Sequence, residues 1–220
     1  MHIFERFRKQ KFVAEDFKHF LEADSASRWG TAHYGAWSAE YKGAQQDRKR
    51  NSMGLLGKSP IENYCGNIYQ HINQALWVKD KTLSTQYQEM EGMLHSIIDA
   101  APHIPEPIVL YRLEGPHTVA ILDAAYRKRQ VVEYKSYIST SMLESIAERG
   151  EAVYAGRQTM LKLYVPTGVA GIYVDDICNR EEHEIVLQRG QKLQVLRKRK
   201  GQRLAGSSIV KDIIECQVIC

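Results

Sequence analysis

The sequence predicts an α+β domain in which helices come first and a largely antiparallel sheet follows. In the first half, apolar residues recur every three or four positions, as they do along Tyr64–Leu76. In the second half, short runs rich in β-branched and aromatic residues are separated by turns, and Met160–Pro166 is a typical example. The chain of 220 residues is long enough for one such domain with a helical extension.

The first half divides into helical segments by its periodicity. Residues 1–23 carry phenylalanines at roughly helical spacing, which predicts an amphipathic helix, and residues 24–60 predict short helices and loops. Ser59 and Glu62 have the spacing of a capping box, with a proline between them at the first helical position, so a helix begins there. A further helix covers about Ser84–Ala100, and a linker bounded by prolines follows it.

The second half predicts strands with two interruptions. Thr118–Lys128 has a helical pattern, and Met142–Ala147 predicts a short helix. The basic run Lys198–Gly201 stands where a hairpin loop between the last two strands belongs. The predicted strands are Ile108–Arg112, one within Val131–Ser141, Met160–Pro166, Gly171–Val174, Ile185–Leu187, Gln191–Leu196 and Ile213–Ile219.

Composition excludes several classes of protein. Hydrophobic residues make up 44% and charged residues 25%, which is close to the average for globular domains and unlike disordered or coiled-coil chains. No apolar run is long enough for a membrane helix, so we expect no membrane partner. The four cysteines form no CxxC pair and have no histidine at zinc-site spacing, so we expect no metal. The N-terminus does not resemble a cleavable signal peptide, and the free thiols favour a reducing cytoplasm.

The net charge of +4 comes from one segment of the chain. Eight of the 30 basic residues lie within residues 189–211, which contain no acidic residue. The rest of the chain is therefore slightly acidic. The segment is densest at Arg197–Arg203, where we favour a solvated loop over a contact surface for nucleic acid or an acidic protein.

Three places in the second half carry residues suited to chemistry. They are Arg112 at a strand end, the hydroxyl-rich Ser139-Thr140-Ser141, and the acidic Glu182 and Glu184 that lead into a strand. Each place alone is more typical of a surface or a turn. At strand spacing, however, Glu182 and Glu184 would point to the same side, where one carboxylate raises the pKa of the other.

Taken in order, these residues resemble the Arg–Ser–Glu signature of mono-ADP-ribosyltransferases. Glu182-x-Glu184 followed by three aliphatic residues and Arg189-Gly190 resembles the two-glutamate motif of the actin-modifying binary toxin enzymes and related bacterial exoenzymes. Tyr154-x-x-Arg157 resembles the family's nicotinamide and phosphate loop. The resemblance covers about residues 60–220.

The resemblance implies a fold, a domain division and a co-substrate. It implies an ADP-ribosyltransferase-like split β-sandwich core at residues 59–220, with residues 1–58 as an N-terminal helical extension. It further implies that NAD binds as co-substrate in the cleft between the halves of the sheet. The protein would then be a bacterial toxin or effector that releases nicotinamide and transfers ADP-ribose.

The resemblance also implies a role for each of the NAD-binding residues. Arg112 would hold the diphosphate, which suits a planar cation with paired donors. Ser139 would orient Glu184, while Thr140 and Ser141 would support the strand end. Tyr154 and Arg157, named above, would stack on nicotinamide and contact phosphate.

The two glutamates would divide the chemistry between them. Glu184 would bind the ribose 2′-hydroxyl and stabilise the cation that forms as nicotinamide leaves. Glu182 would orient or deprotonate the nucleophile. In the family, glutamate at this position goes with arginine as the acceptor, so we expect a target protein modified on arginine.

Two departures from the family pattern matter. Glu114 follows Arg112 closely, and we expect it to point away from a bound diphosphate. The sequence Cys178-Asn179-Arg180 stands in place of an aromatic residue in the loop that recognises the target, so we expect a target other than actin.

Alternatives remain open at this point. The acceptor could be a nucleic acid bound through Arg197–Arg203, or water, which would make the protein an NAD glycohydrolase, and a non-enzymatic binding module is the least favoured alternative. A cognate immunity protein or chaperone is a further candidate partner. We expect action in the cytoplasm of a target cell after secretion without a cleavable signal, or inside the producing cell.

Overall fold

Helices precede an eight-stranded sheet in the computed structural model, which describes residues 12–51, 57–78, 83–148, 157–205 and 207–219. The α+β class is therefore confirmed. The helices are α1 (Ala23–Asn51), α2 (Pro60–Asn63), a π-helical turn (Tyr64–Ile68), α3 (Tyr69–Trp77), α4 (Thr85–Ala100), α5 (Pro116–Lys128) and α6 (Asp175–Cys178). Short 3-10 turns occur at Ala14–Asp16 and Glu144–Glu148.

The N-terminal segment differs from the prediction. Within its described part, residues 12–22 are not an α-helix: Lys18 forms a parallel bridge to Ile108, the first residue of a strand inside the sheet. Residues 24–51, expected as short helices and loops, form one long helix instead. Its aromatic side chains Trp29 and Tyr34 are buried in the main core, and such packing stabilises a helix that its serines and glycines disfavour.

Helix α1 lies unusually close to the sheet at one glycine. A Cβ added to Gly30 would lie 2.5 Å from the buried ring of Tyr173. Helix α1 also packs against α6. The division of the chain at residue 58 remains a prediction.

The capping box at the start of α2 is confirmed. The Ser59 side chain accepts from the Glu62 backbone N–H at 3.3 Å, and the Glu62 carboxylate accepts from the Ser59 N–H at 2.7 Å. One turn later the backbone of Gly66 leaves the helical region (φ −78°, ψ −117°) and kinks the segment. The kink carries the chain into α3 along one wall of the cavity described below.

The eight strands form one hydrogen-bonded series in the order β2-β7-β8-β4-β1-β3-β6-β5. All neighbouring pairs are antiparallel except β4 and β8, which are parallel. The predicted strand within residues 131–141 is two strands, β2 and β3. The bounds are β1 (Ile108–Glu114), β2 (Val131–Tyr134), β3 (Ile138–Ser141), β4 (Thr159–Val165), β5 (Gly171–Tyr173), β6 (Glu184–Leu187), β7 (Gln191–Arg203) and β8 (Val210–Ile219).

The basic run is part of a strand, which corrects the expectation of a solvated loop. Strand β7 continues through Arg203. Arg197 and Arg199 both bind the buried carboxylate of Glu215 on β8, at 3.1 and 2.9 Å, and Lys198 pairs with Asp123 of α5. These cations have partners within the fold because β8 and α5 bring carboxylates against the strand.

The sheet divides between β1 and β3. Strand β1 pairs with β4 along its whole length, whereas it pairs with β3 at the single described position Tyr111–Ser141. The strand groups β2-β7-β8-β4-β1 and β3-β6-β5 diverge beyond that contact, and a cavity lies there. The fold is the split arrangement that the resemblance implied. None of the described helices is long and apolar enough to span a membrane.

Candidate active site

The cavity between the two strand groups has a volume of about 410 Å³. Its lining brings together residues that are far apart in sequence, from β1, the β3 strand, the segment just before β4, the π-helical turn and the loop before β6. The predicted site residues among them are Arg112, Ser139, Thr140, Ser141, Arg157, Arg180, Glu182 and Glu184.

Arg112 is held in place by contacts on two of its nitrogens. Its Nε donates to Glu114 Oε1 at 2.6 Å, and its Nη1 donates to the Ser139 carbonyl oxygen at 2.8 Å. Burial lowers the pKa of the guanidinium, but the Glu114 carboxylate, together with the Tyr134 and Tyr64 side chains, raises it, and the net pKa is raised. Arg112 therefore stays charged although its side chain is only 19% exposed.

Glu114 binds Arg112 directly and is not among the residues that line the cavity, so nothing here contradicts the expectation that it points away from a bound diphosphate. Residues two apart on a strand face the same side, and a buried cation requires a counter-charge. The Glu114 carboxylate, 3% exposed, also accepts from the Tyr134 hydroxyl at 2.5 Å and from the Gly115 N–H at 3.3 Å. It is a support for Arg112 that the sequence reasoning missed.

The three hydroxyl residues of β3 have separate tasks. Thr140 donates to the Ile185 carbonyl oxygen at 2.6 Å, and Ser141 donates to the Glu182 carbonyl oxygen at 2.9 Å. The Ser139 hydroxyl lies close enough to the Glu184 carboxylate to oppose the increase in its pKa. Thr140 and Ser141 thus attach the strand end to β6 and to the loop before it.

Glu184 is the first residue of β6, and only 8% of it is exposed. Burial raises the pKa of Glu184 to about 7, and the nearby Glu182 carboxylate adds to the increase, while Ser139 and Arg180 oppose it. Its Oε2 atom is buried and has no hydrogen-bond donor among the described residues. A ligand hydroxyl that entered the cavity could supply that donor.

The two glutamates reach the same cavity, but not by strand alternation. Glu182 precedes β6, and His183 between them has a left-handed backbone (φ 50°). The Asp175 carboxylate accepts from the His183 N–H at 2.7 Å and from the Glu184 N–H at 3.0 Å. Asp175 was missed because only the fold brings α6 against this loop.

Asn179 and Arg180, which were both predicted to recognise the target, lie in different places. Asn179 ends α6 in a left-handed conformation, is exposed, and lies beside α1 outside the cavity lining. Arg180 turns into the cavity, where its Nη1 lies 3.5 Å from Glu182 Oε2 and 3.8 Å from Glu184 Oε2. The left-handed turn at Asn179 is what redirects the chain between them.

The predicted nicotinamide and phosphate loop is partly described. Tyr154 lies outside the described residues. Arg157 lines the cavity, where its Nη1 donates to the Leu113 carbonyl oxygen at 3.1 Å. Arg112 and Arg157 therefore bring two guanidinium groups, from β1 and from the segment before β4, to the cavity that the carboxylates also line. No cluster of three metal-ligating side chains occurs within the described ranges.

This geometry agrees with the comparison to known protein families. Residues 26–215 match the family model described as ADP-ribosyltransferase exoenzyme. The chain belongs to this family. The resemblance that the ordered Arg, Ser and Glu residues indicated is thereby confirmed for the exoenzyme.

Solved structures share the fold of the exoenzyme at low identity. The ADP-ribosylating toxin BECa of a Clostridium perfringens binary enterotoxin, solved with NADH, has a TM-score of 0.67 at 22% identity over 93% of this chain and 50% of that one. The C3 exoenzyme of Clostridium limosum has a TM-score of 0.63 at 19% identity, covering 93% and 98%. Plx2a of Paenibacillus larvae has a TM-score of 0.66 at 16% identity, covering 93% and 100%.

The exoenzyme thus spans half of the binary toxin component but nearly the whole of the C3 exoenzyme and of Plx2a. At these identities the comparison shows that the chain and these three structures share a fold. Among curated proteins, no sequence matches the chain.

Proposed function

We propose that the exoenzyme is an NAD-dependent mono-ADP-ribosyltransferase that modifies an arginine of a target protein, as a toxin or effector in the cytoplasm of a target cell. The proposal rests on one observation: in the cavity, the carboxylates of Glu182 and Glu184 both lie close to a guanidinium group. In this structure that group belongs to Arg180. This contact supports the proposal, because a guanidinium is the group that an acceptor arginine would bring to the two carboxylates.

The NAD side of the proposal is supported by charge and by relatives. Arg112 and Arg157 are suited to the diphosphate because guanidinium groups bind phosphate oxygens in pairs. Two neighbours of similar fold were solved with dinucleotides: BECa with NADH, and C3stau2 of Staphylococcus aureus with NAD, the latter at 22% identity and a TM-score of 0.64. A bound dinucleotide would place its nicotinamide ribose near the carboxylates.

Glu184 would act on the ribose. Its Oε2 lacks a donor among the described residues, so it is able to accept from a ribose hydroxyl. Cleavage of the bond between ribose and nicotinamide creates positive charge on the sugar, and a fixed carboxylate in a buried site stabilises that charge as it forms.

Glu182 would act on the acceptor. A protonated guanidinium is a poor nucleophile, and Glu182, whose side chain is 41% exposed, is available to accept its proton. A nucleic acid is the less favoured acceptor. The cations of β7 that would bind its phosphates already pair with carboxylates of the protein, as Arg197, Lys198 and Arg199 do.

The test is transfer of label from NAD in a host-cell lysate. We expect label on protein, at arginine residues identified by mass spectrometry, with release of nicotinamide. Label in RNA or DNA would overturn the protein acceptor, and release of free ADP-ribose alone would indicate a glycohydrolase. Absence of nicotinamide release would contradict the enzymatic proposal altogether.

A further inference from the structure

Cys65 and Cys178 belong to two segments that meet beside the active-site cavity. Cys65 lies in the π-helical turn Tyr64–Ile68 and lines the cavity. Cys178 is the last residue of α6, shortly before the loop of residues 179–183 that leads to Glu184. The two cysteines are far apart in the chain, so the fold alone brings their segments together.

The two segments are in contact at several points. Arg180, two residues after Cys178, donates through its Nη2 to the carbonyl oxygen of Cys65 itself. Helix α2, which runs directly into the π-helical turn, packs against α6. Cys65 belongs to a buried hydrophobic cluster, and Cys178 packs against the same cluster. The Cys178 side chain lies close enough to the Cys65 thiol to raise its pKa, and burial raises that pKa further. The two thiols are therefore neighbours across this contact.

The two thiols differ in their access to solvent. Cys65 is 5% exposed, whereas Cys178 is only partly buried. Both are free thiols in this structure, as is Cys216, which is buried in β8 and belongs to a different hydrophobic cluster. Among the cysteines that the structure describes, Cys178 is thus the one that a small oxidant in solution reaches first.

We propose that Cys65 and Cys178 are a redox-sensitive pair, which a peroxide converts into an intramolecular disulfide between the π-helical turn and the end of α6. Cys178 is the thiol that the peroxide attacks, and Cys65 is the thiol that resolves the product. The disulfide would covalently join two segments that the contact between Arg180 and the Cys65 carbonyl already holds together.

The reaction has two steps. In the first, the sulfur of Cys178 attacks one oxygen of hydrogen peroxide, the O–O bond breaks, and water leaves while Cys178 becomes a sulfenic acid. In the second, the sulfur of Cys65 attacks the sulfur of Cys178, so that an S–S bond forms and the S–O bond breaks. The Cys65 proton leaves with the hydroxyl group as a second water. Both sulfurs are oxidised, and the peroxide is reduced to water.

The disulfide would fix the loop that carries Glu182. In the present position of the loop, Arg180 stands beside both glutamates. The functional consequence rests on the proposed function, because an acceptor arginine has to reach Glu182 and the loop has to move to admit it. Cleavage of NAD with water as the acceptor requires no such entry. The oxidised protein should therefore lose transfer to arginine and should still release nicotinamide.

The first experiment maps the disulfide in the full chain. Wild-type protein is treated with hydrogen peroxide, its remaining thiols are alkylated, and it is digested without reduction. We expect a mass loss of two hydrogens and a peptide pair linked through Cys65 and Cys178, both reversed by dithiothreitol. The oxidised protein should also unfold at a higher urea concentration, because the bond closes a long loop in the unfolded chain. Sulfinic acid on Cys178 without a link, or a link through Cys216 or Cys220, would overturn the proposal.

Single substitutions show that the link needs both thiols. Cys65→Ser and Cys178→Ser should each lose the linked peptide pair and the reversible shift of the urea midpoint. Cys216→Ala is the matched control, since it removes a buried thiol of the other cluster, and it should keep both. An unchanged urea shift in Cys178→Ser would show that another oxidation causes it.

The second experiment measures the effect on the reaction. Oxidised and reduced wild-type protein are compared for transfer of ADP-ribose to agmatine, a small guanidine, and for nicotinamide release. We expect oxidation to stop transfer and dithiothreitol to restore it, whereas the rates of Cys178→Ser should not respond to peroxide. Equal transfer by the oxidised and reduced proteins would overturn control of transfer by the disulfide. Failure of the reduced protein to modify agmatine would count against the proposed function, while the peptide mapping still decides whether the disulfide forms.

Discussion

Glu114 lies directly against Arg112, with 2.6 Å between the carboxylate Oε1 and the guanidinium Nε. The pair is buried at the end of β1, where Tyr134 and the Gly115 N–H also bind the carboxylate. Arg112 can therefore present its remaining donors to the cavity in one orientation. Sequence position alone made Glu114 look like an obstacle to a phosphate ligand, whereas the contact makes it the counter-charge that keeps Arg112 in place.

Glu114→Gln should lower both stability and affinity for NAD. Removing one partner of a buried ion pair leaves the other charge uncompensated and costs about 3 kcal/mol. Urea unfolding and the KM for NAD measure the two effects. Glu133→Gln, at an exposed position on β2, is the matched control and should change neither quantity. A Glu114→Gln variant with unchanged KM would show that Arg112 does not need this support to bind NAD.

Glu184→Gln should abolish nicotinamide release and should change how stability depends on pH. The pKa of Glu184 is about 7 in the folded protein against an ordinary value of 4.5, so the folded state binds the proton more tightly. That contribution is fully present below the ordinary value and is lost as pH rises through about 7. Relative to wild type, the variant should gain up to about 3 kcal/mol between acidic pH and pH above 8. Urea unfolding at the two pH values provides the measurement, and a constant difference would contradict the raised pKa.

Glu182→Gln should separate transfer from hydrolysis. Loss of the base stops transfer to arginine, while Glu184 still supports some cleavage of NAD with water as acceptor. The change also removes a negative charge that raises the pKa of Glu184. In wild type, kcat/KM for NAD should increase with an apparent pKa of about 7, and the variant's profile should shift to lower pH. Equal loss of transfer and hydrolysis would disprove the role given to Glu182.

Asp175→Asn should disturb the loop that carries both glutamates. The substitution replaces one carboxylate oxygen with an NH₂ group that cannot accept from the backbone N–H of His183 or Glu184, an expected loss of about 1–3 kcal/mol. Thermal unfolding should show lower stability, and kcat should decrease as well. Asp176→Asn is the control, since its carboxylate makes a longer contact of 3.4 Å with Thr31. Identical behaviour of the two variants would contradict the positioning role of Asp175.

Gly30→Ala should destabilise the packing of α1 on the sheet. The added Cβ would lie 2.5 Å from the Tyr173 ring, which is itself buried, and such overpacking costs about 1–3 kcal/mol. Gly43→Ala on the same helix meets nothing within 4 Å and should stabilise the protein by about 0.5–1 kcal/mol. Opposite shifts of the unfolding midpoint are expected, and a stabilised Gly30→Ala variant would show that α1 does not pack this way in solution.

Local signals in the sequence were sufficient where the interactions themselves are local. The capping box at Ser59 and Glu62 acts over three residues, and both of its hydrogen bonds are present. The α+β order follows from periodicities of similar range, and the ordered Arg, Ser and Glu residues were enough to indicate the family that the family model then confirmed.

The same reasoning failed where distant segments override local preference. The pattern of residues 24–60 suggested short helices and loops, but burial of Trp29 and Tyr34 in the main core stabilises one long helix over Ala23–Asn51. The basic run suggested a loop, but Glu215 on β8 and Asp123 on α5 stabilise it as a strand. No pattern within a single segment reports such partners.

By itself, the sequence determined which residues can do chemistry: a guanidinium at Arg112, hydroxyls on β3 and two carboxylates before and on β6. Only the tertiary structure decided what each one faces. It placed Glu114 against Arg112, Asp175 beneath the glutamate loop and Arg180 between the glutamates. The physical reason is that burial and charge act through space: a side chain's pKa and orientation depend on neighbours that the fold, and not the chain order, brings within a few ångströms.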